Sequence, residues 1–174
     1  WAGDSHSGGP RRPRRPRRVS LVLVRLDDRL IHGQVVVGWG QPLNVGFIVL
    51  VDDEVRDSTW EQDLYRMGVP ASIEVLFVSL AEAERRFPEW EQDDRAGILL
   101  AGDIDIMAAL VGTGQIPKLN IGGVHHRAGR TERLRYVYLT DEEAEKLRRL
   151  AANGVLVTAQ DVPTARAVPI GEFL

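Results

Sequence analysis

A chain of 174 residues, 44% hydrophobic and 27% charged, is long enough to bury the core of one compact domain. With no cysteine it is excluded from disulfides, thiol catalysis and cysteine-held metals, and its apolar runs are far shorter than the ~20 residues of a membrane-spanning helix. The formal net charge of -3 combines a basic start with an acidic remainder, so the body of the chain is not expected to bind nucleic acid. In chain order, residues 1–18 come first: Arg11, Arg12, Arg14, Arg15, Arg17 and Arg18 stand among Pro and Gly, with Asp4 as the acid. Such a segment buries too little apolar surface to offset its ordering entropy and reads as a disordered basic tail, an upstream extension without the apolar core of a secretory signal. A contact with nucleic acid or anionic lipid is the functional alternative for it.

From Val19 onward strands and helices alternate. VSLVLVRL (Val19–Leu26), FIVLVDD (Phe47–Asp53), IEVLFVS (Ile73–Ser79), AGILLA (Ala96–Ala101) and GVLVTAQ (Gly154–Gln160) are continuous apolar, β-branched runs. Runs of that kind read as strands buried on both faces, the pattern of a parallel sheet. KLNIGG (Lys118–Gly123) and RYVYLT (Arg135–Thr140) are shorter candidates. Ser58 with Glu61, Ser79 with Glu82 and Thr140 with Glu143 have the spacing of capping boxes, and Asp103 is placed to cap DIMAALVG. The last helix, Asp141–Asn153, carries Ala144, Leu147, Leu150 and Ala151 at helical spacing and stops at Gly154. GTGQIP (Gly112–Pro117) follows a helix and reads as a turn. The fold class is therefore α/β: a single domain, residues 19–174, with an open, mostly parallel sheet and helices on both faces. Ligands on such sheets bind beyond the carboxyl ends of the strands.

The stretch at the carboxyl end of the first strand is VRLDDRLIHGQV, Val24–Val35. Asp27 to His32 form a loop, and Gly33 is expected to let the chain turn into a helix over GQVVVGWG. Amides at a helix start, with arginine beside them, make an anion cradle. A neutral imidazole there is a nucleophile, and an aspartate near one ring nitrogen would fix the tautomer and free the other to attack. The loop thus holds the parts for histidine phosphorylation, although a solvated ion-pair cluster uses the same residue types. Neither GxxxxGK[ST] nor GxGxxG occurs at this turn, so nucleotide binding has little support.

RLDDRLIHGQV closely resembles the active-site segment of the mannose/fructose/sorbose-type IIB components of the bacterial sugar phosphotransferase system, R-[IVL]-D-x-R-x-x-H-G-Q-V. Arg25, Asp27, Arg29, His32, Gly33, Gln34 and Val35 match it. Trp39 and Asn44 fall where the family has Trp and Asn. VDDEVRD (Val51–Asp57) resembles its [VS]-[DN]-D-E-V-A-x-D segment, and LNIGGVHHRAGRT (Leu119–Thr131) its V-N-[VIL]-G-G-x…G-[KR]-T segment. The resemblance covers Val19 to Leu174.

What it implies is a cytoplasmic phosphotransferase without a cofactor. Such a protein accepts a phosphoryl group from a phosphohistidine of the IIA protein, holds it on Nδ1 of its own histidine, and passes it to a sugar at the membrane IIC/IID pair. Carried over, His32 is the nucleophile, Arg29 the phosphate ligand, and Asp27 the residue that orients the loop or pairs with the arginines. Arg25, Asp28, Leu30, Ile31, Gly33 and Gln34 complete the loop, and Asn120, Gly122 and Gly123 shape its surroundings. Asp53 is expected to hold the His32 loop, and a homodimer is compatible with the family. The alternatives are a regulatory phosphorelay without sugar transport and a non-catalytic interaction module that uses the Arg-rich tail.

Outside that loop the residues read more simply. His125 and His126 are adjacent, so on an extended segment they face opposite ways and are not expected to chelate one ion with His32. A place at the rim of the phosphate site suits them better, with Arg127 and Arg130 to help there. Asp52, Asp53, Glu54 and Asp57 form an acidic group that reads as a strand end with ion pairs and no metal. Trp39, Trp60, Trp90 and Tyr65 read as core or interface packing.

Overall fold

A computed structural model of the chain describes residues 20–174; the basic tail expected at 1–18 lies outside them. β1 (Leu21–Leu26), β2 (Val45–Val51), β3 (Glu74–Val78), β4 (Ala96–Ala101), β5 (Lys118–Ile121), β8 (Leu156–Ala159) and β9 (Val168–Pro169) make one seven-stranded sheet in the order β3-β2-β4-β1-β5-β8-β9. All neighbours run parallel except β8 and β9. β6 (Thr131–Leu134) and β7 (Val137–Leu139) form a separate antiparallel hairpin. The mostly parallel α/β sheet expected from the apolar runs is therefore present.

The runs are continuous because both faces of each central strand are covered. Phe47, Val49 and Val51 of β2 and Leu99 and Ala101 of β4 pack into one core with α3 (Leu80–Glu91), α4 (Ile104–Gly112) and α5 (Asp141–Ala152). Ile48, Leu50, Ile98 and Leu100 alternate to the other face. There they meet Val35, Val36 and Trp39 of a π-helical segment, Gln34–Gly40, Val55 of α1 (Asp53–Asp57) and Tyr65 of α2 (Thr59–Met67). The period of two along each strand thus feeds two cores.

Two of the three expected capping boxes form. Ser79 and Glu82 close one at α3, and Thr140 and Glu143 close another at α5. Ser58 does stand at the N-terminus of α2, but its side chain makes no capping bond; its backbone is already used at the end of α1, where its amide donates to Val55 O at 3.1 Å. Asp52 and Asp103 cap α1 and α4. RYVYLT yields only the three residues of β7, which pair with β6 and leave the main sheet to others. Glu143 also takes Arg130 from the hairpin loop in a two-pronged contact, Nη2 to Oε1 at 2.7 Å and Nε to Oε2 at 3.0 Å. Loss of the cap hydroxyl leaves the Glu143 amide without its acceptor, so Thr140→Ala lowers stability by about 1 kcal/mol, read as a shift of the urea midpoint at unchanged slope.

Candidate active site

The loop after β1 lies where the carboxyl ends of β1, β4, β5 and β8 meet. Asp27 N donates to Ala101 O at 3.0 Å, Asp28 N to Gly123 O at 2.9 Å, and Gly122 N to Leu26 O at 2.7 Å. Ala101 ends β4, and Gly122 and Gly123 follow β5, so the loop is tied to both neighbours of its own strand.

Beneath it Arg25 is entirely buried, yet all five guanidinium donors are used. Nε and Nη2 donate to Asp27 Oδ2 at 3.2 and 2.9 Å, Nη1 to Gln160 O at 2.8 Å and to Asn120 Oδ1, and Nη2 to Asp161 O at 3.0 Å. Its Cζ lies 5.1 Å from the centroid of the Trp39 ring. Burial holds Arg25 below its ordinary pKa against the pull of Asp27. With every donor engaged inside the protein, Arg25 supports the loop from below and is not presented to a ligand.

Asp27 is the hub. Its two oxygens accept from Arg25 and from Arg29, whose Nε reaches Oδ1 and whose Nη2 reaches Oδ2, both at 3.0 Å. Burial pushes the Asp27 carboxyl up, but the hydrogen bonds of Arg29 and the charges of Arg25 and Arg29 outweigh it and hold the group below its ordinary value. The Asp27 contact in turn raises Arg29. Arg29 remains 29% exposed, and its Nη1 has no hydrogen-bond partner among the described residues. Of the two arginines, Arg29 is the one that faces out.

His32 stands beside this relay, one-fifth exposed, with Nε2 at 3.9 Å from Asp27 Oδ2. Nδ1 lies 2.9 Å from Leu30 O, while Nε2 is buried without a partner. A nitrogen facing a carbonyl oxygen at that distance carries the proton, so the resting ring is the Nδ1–H tautomer. The carbonyl is aimed there by Leu30 itself, which has φ 57°. Gly33, in contrast, has φ -53°, a conformation open to any residue; the expected glycine-dependent turn is made by Leu30. A Cβ on Gly33 would meet nothing within 4 Å, so this glycine leaves open ground next to His32.

Ile31 is buried in the second core and anchors the loop there. Gln34 begins the π-helical segment, its Oε1 buried without a partner. Asn120 is nearly buried and fixes Arg25. A methyl on Gly122 would overlap the Arg25 guanidinium and Asp27 Oδ2, and one on Gly123 would press on Arg29. The two glycines therefore let the chain after β5 lie flat against the charged relay.

Other expected residues take different places. Asp53 is exposed and accepts from Leu80 N at 2.8 Å, so it serves the start of α3 and makes no bond to the His32 loop. Asp28 turns away from Arg29 to the next loop, receiving His125 N at 2.7 Å on Oδ2 and lying 2.5 Å from His125 Nδ1 through Oδ1. His126 instead meets the Tyr138 ring edge-on at 5.6 Å, so the adjacent histidines do face apart. Arg130 is spent on Glu143 and on His125 O and is not free for a phosphate. Trp39 and Trp90 are buried, whereas Trp60 is 66% exposed on α2. Gln160 and Asp161 were not among the expected residues. Their contribution to Arg25 is made by backbone carbonyls, which carry no side-chain signal.

The sequence profile of the PTS system sorbose subfamily IIB component matches residues 21–174. Among curated proteins the chain is 30% identical to the sorbose-specific EIIB component of Klebsiella pneumoniae, over 87% of this chain and 93% of that one. It is 31% identical to the mannose-specific EIIAB component of Escherichia coli over 82% of this chain, and spans 44% of that relative's length. Among solved structures, the IIBSor domain of the K. pneumoniae sorbose permease has a TM-score of 0.78 at 30% identity, covering 87% of this chain and 93% of that one. An N-acetylgalactosamine IIB component from Streptococcus pyogenes shares the fold with a TM-score of 0.82 at 23% identity, over 90% and 99% of the two chains.

Proposed function

The chain belongs to the sorbose-subfamily IIB components of the sugar phosphotransferase system, and from that membership we propose that it is a cytoplasmic phosphocarrier whose acceptor is His32. It takes the phosphoryl group from a phosphohistidine of a IIA protein and gives it to a sugar at a membrane IIC/IID pair. The observation that carries this reading is the placement of one imidazole beside a closed Arg25–Asp27–Arg29 relay at the strand ends, with the outer arginine partly free.

On this reading each group has a task. For Nδ1 to attack, the ring leaves Leu30 O and its proton moves to Nε2, which faces Asp27 Oδ2 at 3.9 Å. The Nδ1 lone pair then forms the new N–P bond while the donor's N–P bond breaks and its electron pair returns to the donor imidazole. Positive charge that gathers on the phosphorylated ring lies next to Asp27, which Arg25 and Arg29 keep ionised. Arg29, partly exposed beside His32, is the charged donor available to the phosphoryl oxygens. Phosphoryl transfer asks mainly for positioning and charge neutralisation, and this loop offers both.

The test is labelling with phosphoenolpyruvate, enzyme I, HPr and a IIA protein of the same class, followed by site mapping. A single acid-labile phosphate on His32, assigned to Nδ1 by nuclear magnetic resonance, supports the reading. No phosphate on the chain while IIA is itself phosphorylated overturns it. In the same assay Arg29→Ala slows transfer about 100-fold, the usual loss for one charge-stabilising donor; an unchanged rate removes Arg29 from its role.

A further inference from the structure

We propose that Asp161 is a counter-anion that keeps Arg29 from binding the phosphoryl group too tightly, so that the group on His32 stays transferable. The inference rests on His32 being the carrier. Asp161 follows β8, and its position is built, not incidental. The carbonyls of Gln160 and Asp161 both accept from the buried Arg25 guanidinium, at 2.8 and 3.0 Å. The Gln160 side chain spans the loop from within, donating to Pro163 O at 3.1 Å and Ala165 O at 2.8 Å. The backbone on either side is thereby fixed, and the Asp161 carboxylate comes to 3.5 Å from Arg29 Nη2.

Arg29 is thus shared between two unequal carboxylates. Asp27 is wholly buried and holds it at 3.0 Å; Asp161 is 36% exposed and holds it at 3.5 Å. Without phosphate the two arginines and two aspartates balance. A dianionic phosphoryl group on His32 competes for the same guanidinium, and Asp161 is the partner that can give way. Its charge remains near the phosphoryl oxygens and raises the free energy of the loaded state relative to the empty one. The transferred atoms are unchanged: the His32 N–P bond forms as the donor's N–P bond breaks, and the reverse on delivery. Asp161 acts on the balance between those states through Arg29, as a positioning residue.

The experiment uses the full chain with the phosphorylated and unphosphorylated forms of its IIA donor, measuring the His32 phosphate at equilibrium. Across a partly exposed, solvent-screened contact, one charge is worth roughly a fivefold change. Asp161→Asn is expected to shift the equilibrium roughly fivefold toward phosphorylated His32 and to slow back-transfer to IIA. Asp161→Glu is expected to restore the wild-type balance, and the Asn effect to shrink in about 1 M salt, where screening reaches ~3 Å. Wild type labelled on His32 with Asp161→Asn within twofold of it, or a shift the other way, overturns the inference alone. Wild type unlabelled on His32 overturns the carrier reading and the inference with it. A lowered thermal midpoint with an unmoved equilibrium assigns Asp161 a structural role and also overturns it.

Discussion

Replacing His32 with alanine is expected to remove phosphoryl acceptance altogether and to leave the fold standing. The expectation of a complete loss follows from the chemistry, because no neighbouring group replaces the lone pair. His125, the other imidazole tied to this loop, is committed through Nδ1 to Asp28. The expectation of an intact fold follows from the packing. His32 contributes one hydrogen bond, to Leu30 O, and carries a buried Nε2 without a partner, so its removal forfeits little. Stability should change by no more than about 1 kcal/mol. Labelling in the reconstituted assay, paired with a urea titration, separates the two effects. Phosphate retained by His32→Ala would place the acceptor elsewhere.

Arg25→Ala should do the opposite and strike stability first. Its removal takes away one of the two arginines on buried Asp27 and strips Asn120 and the carbonyls of Gln160 and Asp161 of their donor. Breaking a buried ionic network of this kind costs about 3–5 kcal/mol, measurable by chemical denaturation. The acid limb should move as well. Asp27 titrates below its unfolded value, so its contribution is complete above the ordinary carboxylate range and is lost as pH falls through the lower folded value. Without Arg25, burial gains on the remaining partner and the Asp27 pKa rises, so acid unfolding should begin at higher pH. An acid midpoint equal to the wild type's would show that Arg29 alone sets the Asp27 charge.

The sheet was legible in the chain because burial on both faces writes itself as uninterrupted Val, Ile and Leu. Phe47–Val51 and Ile98–Ala101 could hardly be anything else. The candidate loop was legible because the chemistry proposed for it depends on residue type: Asp27, Arg29 and His32 are recognisable wherever they stand. What stayed hidden depends on backbone and not on type. Leu30 adopts a left-handed conformation that leucine does not advertise, and the carbonyls of Gln160 and Asp161 could belong to any residues. The short β9, two residues long and ending in proline, carries no periodicity to detect. Ser58 shows the reverse error: a correct spacing for a cap whose side chain makes no capping bond.

The Arg25 hydrogen bonds also set an order in time. Its partners lie 95 residues away at Asn120 and 135 residues away at Gln160. As the chain leaves the ribosome, the loop with His32 emerges early, but three of the acceptors that hold it in place are made much later. Until residue 161 is free to fold back, Arg25 lacks the carbonyls that take two of its donors. The setting of the His32 loop is therefore completed only when nearly the whole chain is present. A truncated product that ends before β8 is expected to leave Arg25 without the carbonyls of Gln160 and Asp161, and so to hold that loop less firmly.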